Sequence, residues 1–258
     1  MIPSIIGLIS AILVFGGALF GIWLQKYLPK HHLESNTHEI VKLGSGMIGT
    51  LTALVLGLLV SSTKSSFDSM NSGIVDGSAK IIILDRALVR YGPETASSRK
   101  TLQEAISDCI KRVWPDGLTD LSRVPAFEHY NEMETVQGSL MALKPQTDAQ
   151  RRLLSQAMQL TDDLTQTRWL LIEQARSEIP WTFLVVLVFW LTVLFISFGM
   201  FTPRNATVVT VLFVCACSVS AALFLVLELN GPLDGIIKAS NAPLRDALSH
   251  ISQEGAGQ

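Results

Sequence analysis

Gly46, Thr50, Ala53, Gly57 and Ser61 recur at intervals of three and four, followed on the same helical face by Lys64 and Asp68. Small and hydroxyl-bearing side chains in this pattern suit one of two tasks. They let two membrane helices approach closely where no hydrophobic force drives them together, or they leave room for water round a symmetry axis. In the second case Lys64 and Asp68, one turn apart, set the charge at a pore mouth. In the first they are a solvated pair worth a few tenths of a kcal/mol, and the sequence alone favours this packing reading.

Other polar groups in apolar surroundings invite the same two-sided reading. Glu228 closes a long apolar run, where an ionisable group needs a partner, a wet cavity or the interface itself. His31, His32 and His38 with Glu34 and Glu39 have the composition of a ligand cluster, but their spacing matches no zinc pattern. Interfacial histidines are the plainer account, and no metal or cofactor is expected. Cys215 and Cys217, two apart on a helix, face different directions and read as small packing residues, and Cys109 reads as a core thiol. The chain has no Walker loop, His-Glu-x-x-His, Gly-x-Ser-x-Gly or dinucleotide fingerprint, so no enzyme is expected.

The elements that carry these residues follow from charge and period. Hydrophobic residues make up 48% of the 258 and charged ones 16%, well below the roughly one quarter usual in soluble domains. Met1 to Leu24, Leu43 to Thr63, Ile179 to Pro203 and Asn205 to Leu227 contain no Asp, Glu, Lys or Arg. Each is long enough to cross about 30 Å of hydrocarbon, for which roughly 20 helical residues suffice. The first lacks a basic leader and an Ala-x-Ala-type cleavage site and reads as a retained helix. The expectation is an all-α integral membrane protein with four transmembrane helices and a helical extramembrane bundle between the second and third. Its divisions are residues 1–63 with helices one and two, a module at 64–178, helices three and four at 179–229, and a C-terminal turn, short amphipathic helix and tail at 230–258.

Within the module Ile74, Ile81, Leu84, Leu88 and Tyr91 extend the second span as a helix beyond the bilayer until Gly92-Pro93. Leu102, Ile106, Cys109 and Val113 define a helix from about Thr95, and Phe127, Tyr130, Met133, Val136 and Leu140 one over about Ala126 to Leu143. Leu153, Ala157, Leu160, Leu164, Thr167, Leu171 and Ala175 define a long helix that feeds the third span. Pro243 to Ile251 forms a short amphipathic helix, and the polar, Gly-containing end from Ser252 reads as frayed.

Four crossings place the N-terminus, module and C-terminus on one side and the loops Gln25 to Lys42 and around Arg204 on the other. Lys26, Lys30, Lys42 and Arg204 favour those loops in the cytoplasm, although Lys64, Arg168, Arg176 and Lys238 flank the spans on the opposite face. The module holds 14 basic and 16 acidic residues, which gives nucleic-acid binding no electrostatic support.

Four strings taken in order carry a family resemblance: Leu54 to Ser66 (LVLGLLVSSTKSS); Leu84-Asp85-Arg86 followed by Tyr91-Gly92-Pro93-Glu94; Val113-Trp114-Pro115; and Glu228-Leu229-Asn230-x-Pro232-Leu233-x-Gly235 followed by Pro243-Leu244-Arg245. Together they resemble the bacterial bestrophin-like domain family, over nearly the whole chain. Through its distant link to bestrophins, which are oligomeric anion channels, the resemblance implies a multi-pass inner-membrane homo-oligomer that passes inorganic ions along a pore lined by the second span. It also implies a cytoplasmic module, against the loop charges. Bestrophins line their neck with bulky apolar and aromatic side chains, whereas this span is rich in Gly and Thr, so their gating and selectivity do not transfer. The competing expectation is a non-conducting structural or signalling protein whose module binds a partner and whose Gly-rich face only packs.

Overall fold

The computed structural model describes residues 2–27, 35–114, 132–176, 180–203, 205–231 and 236–256. These form helices α1 (Ile2–Leu24), α2 (Ser35–Tyr91), α3 (Ala96–Val113), α4 (Glu132–Met141), α5 (Asp148–Arg176), α6 (Trp181–Phe201), α7 (Ala206–Leu229) and α8 (Ala242–Ala256), with a 3-10 turn at Pro93–Thr95 before α3. No strand occurs among the described residues. Four of the helical stretches found there are long and apolar enough to cross a bilayer.

α2 is 57 residues long, or about 85 Å at 1.5 Å per residue, so it far outruns a 30 Å hydrocarbon layer. It begins at Ser35, inside the segment expected to be a loop, because that polar stretch contains no helix breaker. The expected start of the third module helix, with Phe127 and Tyr130, lies outside the described residues, as does the join between α5 and α6 at 177–179.

The chain divides into two compact units, one of Met1–Ser65 with Glu178–Asn230 and one of Ser66–Ser177 with Gly231–Gln258. In the first, α1 packs along α6 and α7. Val14, Ala18, Leu187, Leu191, Phe195, Leu212, Ala216 and Leu223 fill its centre. Glycine sets how close α1 and α6 come. A Cβ added at Gly21 would meet the Ile196 carbonyl, and one at Gly199 the Ala18 carbonyl, while one at Gly17 would lie 3.0 Å from Thr192 Cγ2. This is small-residue packing of the kind that holds helices together in lipid, at positions the sequence reading did not single out.

Replacing Gly199 by Ala is therefore expected to destabilise the first unit by about 1–3 kcal/mol, because a backbone oxygen cannot rotate aside as a side chain can. Thermal unfolding of the detergent-solubilised protein measures it; an unchanged midpoint would contradict this helix crossing.

The outer surface of these helices is apolar. Leu8, Ile12, Leu54, Leu58, Phe189 and Val214 are all exposed, a surface that suits lipid or other subunits and not water. Phe20, Trp23 and Tyr27 stack at the end of α1 with ring centroids 5.6 and 4.7 Å apart, and Trp181 stands exposed at the start of α6. Amphipathic aromatic rings favour the headgroup level.

In the second unit the distal part of α2 packs with α3, α4, α5 and α8 around Leu84, Leu88, Leu102, Ile106, Val136, Leu140, Ala157, Leu164, Ala247 and Ile251. The helical stripes read from the sequence supply this core. Cys109 is an exception, being half-buried on the flank of α3, where the core is closed instead by Ile106, Ile110 and Val113. α8 runs to Ala256, beyond the expected fraying point, with Ile251 buried and its carbonyl accepting a bond from Gln103 Nε2 at 2.9 Å. That tertiary anchor offsets the weak helix propensity of the end.

Candidate functional site: one face of the second helix

In the first unit α2 presents three longitudinal stripes. One packs inward: Thr52 and Thr63 are buried, and Ile48, Val55, Leu56 and Leu59 lie against the cluster formed by α1, α6 and α7. Ser45 Oγ and Ser197 Oγ, 2.8 Å apart, join α2 to α6 on this side. The hydroxyls of Thr52 and Thr63 bond to the carbonyls of Ile48 and Leu59 at 2.7 and 2.9 Å, so burial leaves neither unsatisfied.

A second stripe holds Gly46, Thr50, Ala53, Gly57 and Ser61, all exposed. A Cβ added at Gly44, Gly46, Gly49 or Gly57 would meet no atom within 4 Å. These four glycines thus differ from Gly17, Gly21 and Gly199 of α1 and α6: within one chain they pack against nothing. Thr50 Oγ1 donates to the Met47 carbonyl at 2.8 Å, which leaves the hydroxyl oxygen able to accept from water. The third stripe is bulky and apolar, with Ile40, Leu43, Met47, Leu51, Leu54 and Leu58 exposed. Only 6% of the apolar window of α2 is buried, against 33%, 28% and 17% for the other three spans. This is the least covered of the four.

Lys64 and Asp68 are both exposed where the apolar stretch ends. Glu228 is buried near the end of α7, and Asn230 caps that helix with its N–H on the Val226 carbonyl at 3.2 Å. Cys215 and Cys217 stand on exposed faces of α7, so neither is the packing residue expected of it; Leu212, Ala216 and Leu223 occupy the inward face instead. Pro115, Pro232 and Gly235 lie outside the described residues, as do His31, His32 and Glu34. His38 and Glu39 lie near the start of α2, and Glu39 is exposed.

In the second unit the remaining motif residues gather at two corners. Gly92 turns the chain with φ 138°, a value that favours glycine, and Pro93 opens the 3-10 turn where its missing N–H is no loss. Thr95 Oγ1 lies 2.7 Å from the Leu88 carbonyl and 2.8 Å from that of Gly92, which ties the turn to the end of α2. Tyr91 is buried, and its carbonyl accepts a bond from Gln150 Nε2 at 3.2 Å; Glu94 lies exposed against Gly92. At the other corner Trp114 Nε1 donates to the Ala239 carbonyl at 3.0 Å, and Trp114 packs with Met70, Ile74, Leu171 and Leu244. Arg245 is exposed on α8.

The sequence reading missed the partner of Asp85. Asp85 is fully buried, and its two carboxylate oxygens accept from Arg99 Nε at 2.8 Å and Nη2 at 3.0 Å, a bidentate pair with Arg99 8% exposed. A signal was available. Asp85 precedes Gly92 by seven residues and Arg99 follows it by seven, so an antiparallel helix pair hinged at Gly92 brings them level.

A family model described as the Bestrophin-like domain matches residues 12–244. Among solved structures, two single-substitution forms of a bacterial bestrophin homologue from Klebsiella pneumoniae are similar to this chain. One aligns with a TM-score of 0.65 at 15% identity, covering 98% of this chain and 97% of that one. The other aligns with a TM-score of 0.63 at 14% identity, covering 98% and 99%. At such identity the likeness concerns the fold. A comparison with curated proteins found no significant match.

Proposed function

The chain belongs to the bestrophin-like domain family, and from that premise we propose that it assembles with further copies of itself into an ion channel of the bacterial inner membrane. In this reading the stripe Gly46, Thr50, Ala53, Gly57 and Ser61 faces a central wet axis, with Lys64 and Asp68 at its mouth. The bulky stripe of Ile40, Leu43, Met47, Leu51, Leu54 and Leu58 meets a neighbouring copy or lipid.

One observation carries the proposal: Gly44, Gly46, Gly49 and Gly57, in the membrane part of α2, have open space around them, while Gly17 and Gly21 of α1 and Gly199 of α6 are spent on close packing. A face of Gly, Thr and Ser beside lysine and aspartate is poorly matched to hydrocarbon, and no helix of the same chain covers it. An axis shared by several copies gives it a polar environment. Small side chains also keep such a path wide enough for hydrated ions, and the Thr and Ser hydroxyls offer them oxygen.

The test is flux. Purified protein in liposomes loaded with KCl is expected to release chloride or potassium on dilution faster than empty liposomes do. Release no faster than from empty liposomes, for either ion and under any gradient, would overturn conduction and favour a structural or signalling role in which the module binds a partner.

A further inference from the structure

We propose that Arg86 is a selectivity-determining residue of the extramembrane module, a cationic ring that admits small inorganic anions in preference to cations. This rests on the conduction reading above. The string Leu84-Asp85-Arg86 places three consecutive residues about 100° apart round α2, and each meets a different environment. Leu84 is fully buried in the core of the second unit. Asp85 is held by both of its oxygens on Arg99. Arg86 is exposed, and among the described residues nothing pairs with its guanidinium. The Asp85–Arg99 pair, packed beside Leu84, fixes the rotation of α2 against α3 and so the direction Arg86 takes. A buried bidentate pair is an expensive way to hold a helix unless that rotation matters.

That direction coincides with another position on the same helix. Arg86 lies 18 residues beyond Asp68, which is five helical turns at 3.6 residues each, about 27 Å along α2. Between them on this face stand Asn71, Val75, Ala79 and Ile82, none of them charged. Besides Asp85, the intervening α2 charges are Asp76 and Lys80, which lie about 80–120° round the helix from Asp68 and pair with each other at 2.8 Å. Arg90, also exposed, follows one turn after Arg86 and adds charge of the same sign. Lys64 and Asp68 carry opposite charges one turn apart and contribute no net sign. If this face turns inward in a ring of copies, the first unopposed charge along it is Arg86. Rings of Arg or Lys favour anions.

The reversal potential of purified full-length protein in planar bilayers under a KCl gradient tests the assignment. A unit charge about 6 Å from an ion in a water-like dielectric changes its local concentration about threefold. The chloride-to-potassium permeability ratio is therefore expected to exceed one in the parent, fall at least about threefold in Arg86→Glu, and be kept in Arg86→Lys. Arg152→Glu, which reverses an exposed charge on α5, should leave the ratio alone. The difference between parent and Arg86→Glu should shrink in about 1 M salt, where the screening length is about 3 Å, a response that a merely structural role would not produce. Arg86→Gln, milder in charge, reports if the Glu variant fails to assemble, with a smaller shift in the same direction. Conduction with an unchanged ratio in Arg86→Glu or Arg86→Gln, or a parent that prefers potassium, overturns the assignment while leaving conduction intact. A parent with no current at all refutes the conduction reading instead, and this assignment with it.

Discussion

Replacing Gly57 by Leu is expected to abolish ion flux while the oligomer survives. No atom lies within 4 Å of the Cβ that the substitution adds, so nothing in the chain is displaced. The local helix should gain, since Gly in a helix interior is about 1 kcal/mol less favourable than the best helix formers. Every copy in a ring would then project a leucine towards the axis at one level, replacing open space with a band of apolar side chains. Such a constriction excludes water as well as volume. Flux from liposomes and the elution volume of the purified variant separate the outcomes. Unchanged flux would mean that this stripe does not line the path. Loss of the assembly would mean that the stripe is a contact between copies, as the packing reading has it.

Removing Arg99 is expected to cost the second unit about 3–5 kcal/mol, because Arg99→Ala leaves the Asp85 carboxylate buried and unpaired. Asp85→Ala should cost a similar amount by stranding the guanidinium. Replacing both residues by leucine should recover much of the loss, since a buried ion pair is often no more stable than a well-packed apolar pair. Unfolding of the solubilised variants measures all three. Equal loss in the double and single variants would show that the two residues act through separate contacts. The exposed pairs Lys100–Glu104 and Lys111–Asp108, at 3.9 and 3.6 Å, are far weaker and offer no comparable test.

Much of the helical framework was legible because lipid and helix period impose simple rules on composition. The charge-free runs coincide with α1, α6, α7 and the central part of α2. The threes and fours of Ile74, Ile81, Leu84 and Leu88 carried α2 out beyond the bilayer, since an apolar stripe that continues past the last charge-free residue has to be covered by something. Where the reading fell short, the deciding partner was remote. Ser35 opens α2 early because polar residues at a helix end carry no strong stop. α8 outlasts its own composition because Gln103 and the core hold Ile251. Arg99 sits on no apolar stripe and drew no reading of its own, and only the hairpin at Gly92 sets it opposite Asp85.

The glycines make the same point for the candidate site. Gly17, Gly21 and Gly199 are indistinguishable by type from Gly46 and Gly57, yet the first three touch backbone of a neighbouring helix and the last two touch nothing. A period of 3.6 identifies a face of α2, and only neighbouring atoms say what it is for. In the proposed assembly those neighbours belong to other copies of the chain.

A density map of the assembly in a lipid nanodisc bears most directly on the central claim. The expected result is a ring of copies round a continuous solvent path bounded by Gly46, Thr50, Ala53, Gly57 and Ser61, with Ile40, Leu43, Met47, Leu51, Leu54 and Leu58 turned away from it. A centre that is dry or plugged by lipid, with those small residues pressed against a helix of the next copy, would contradict it.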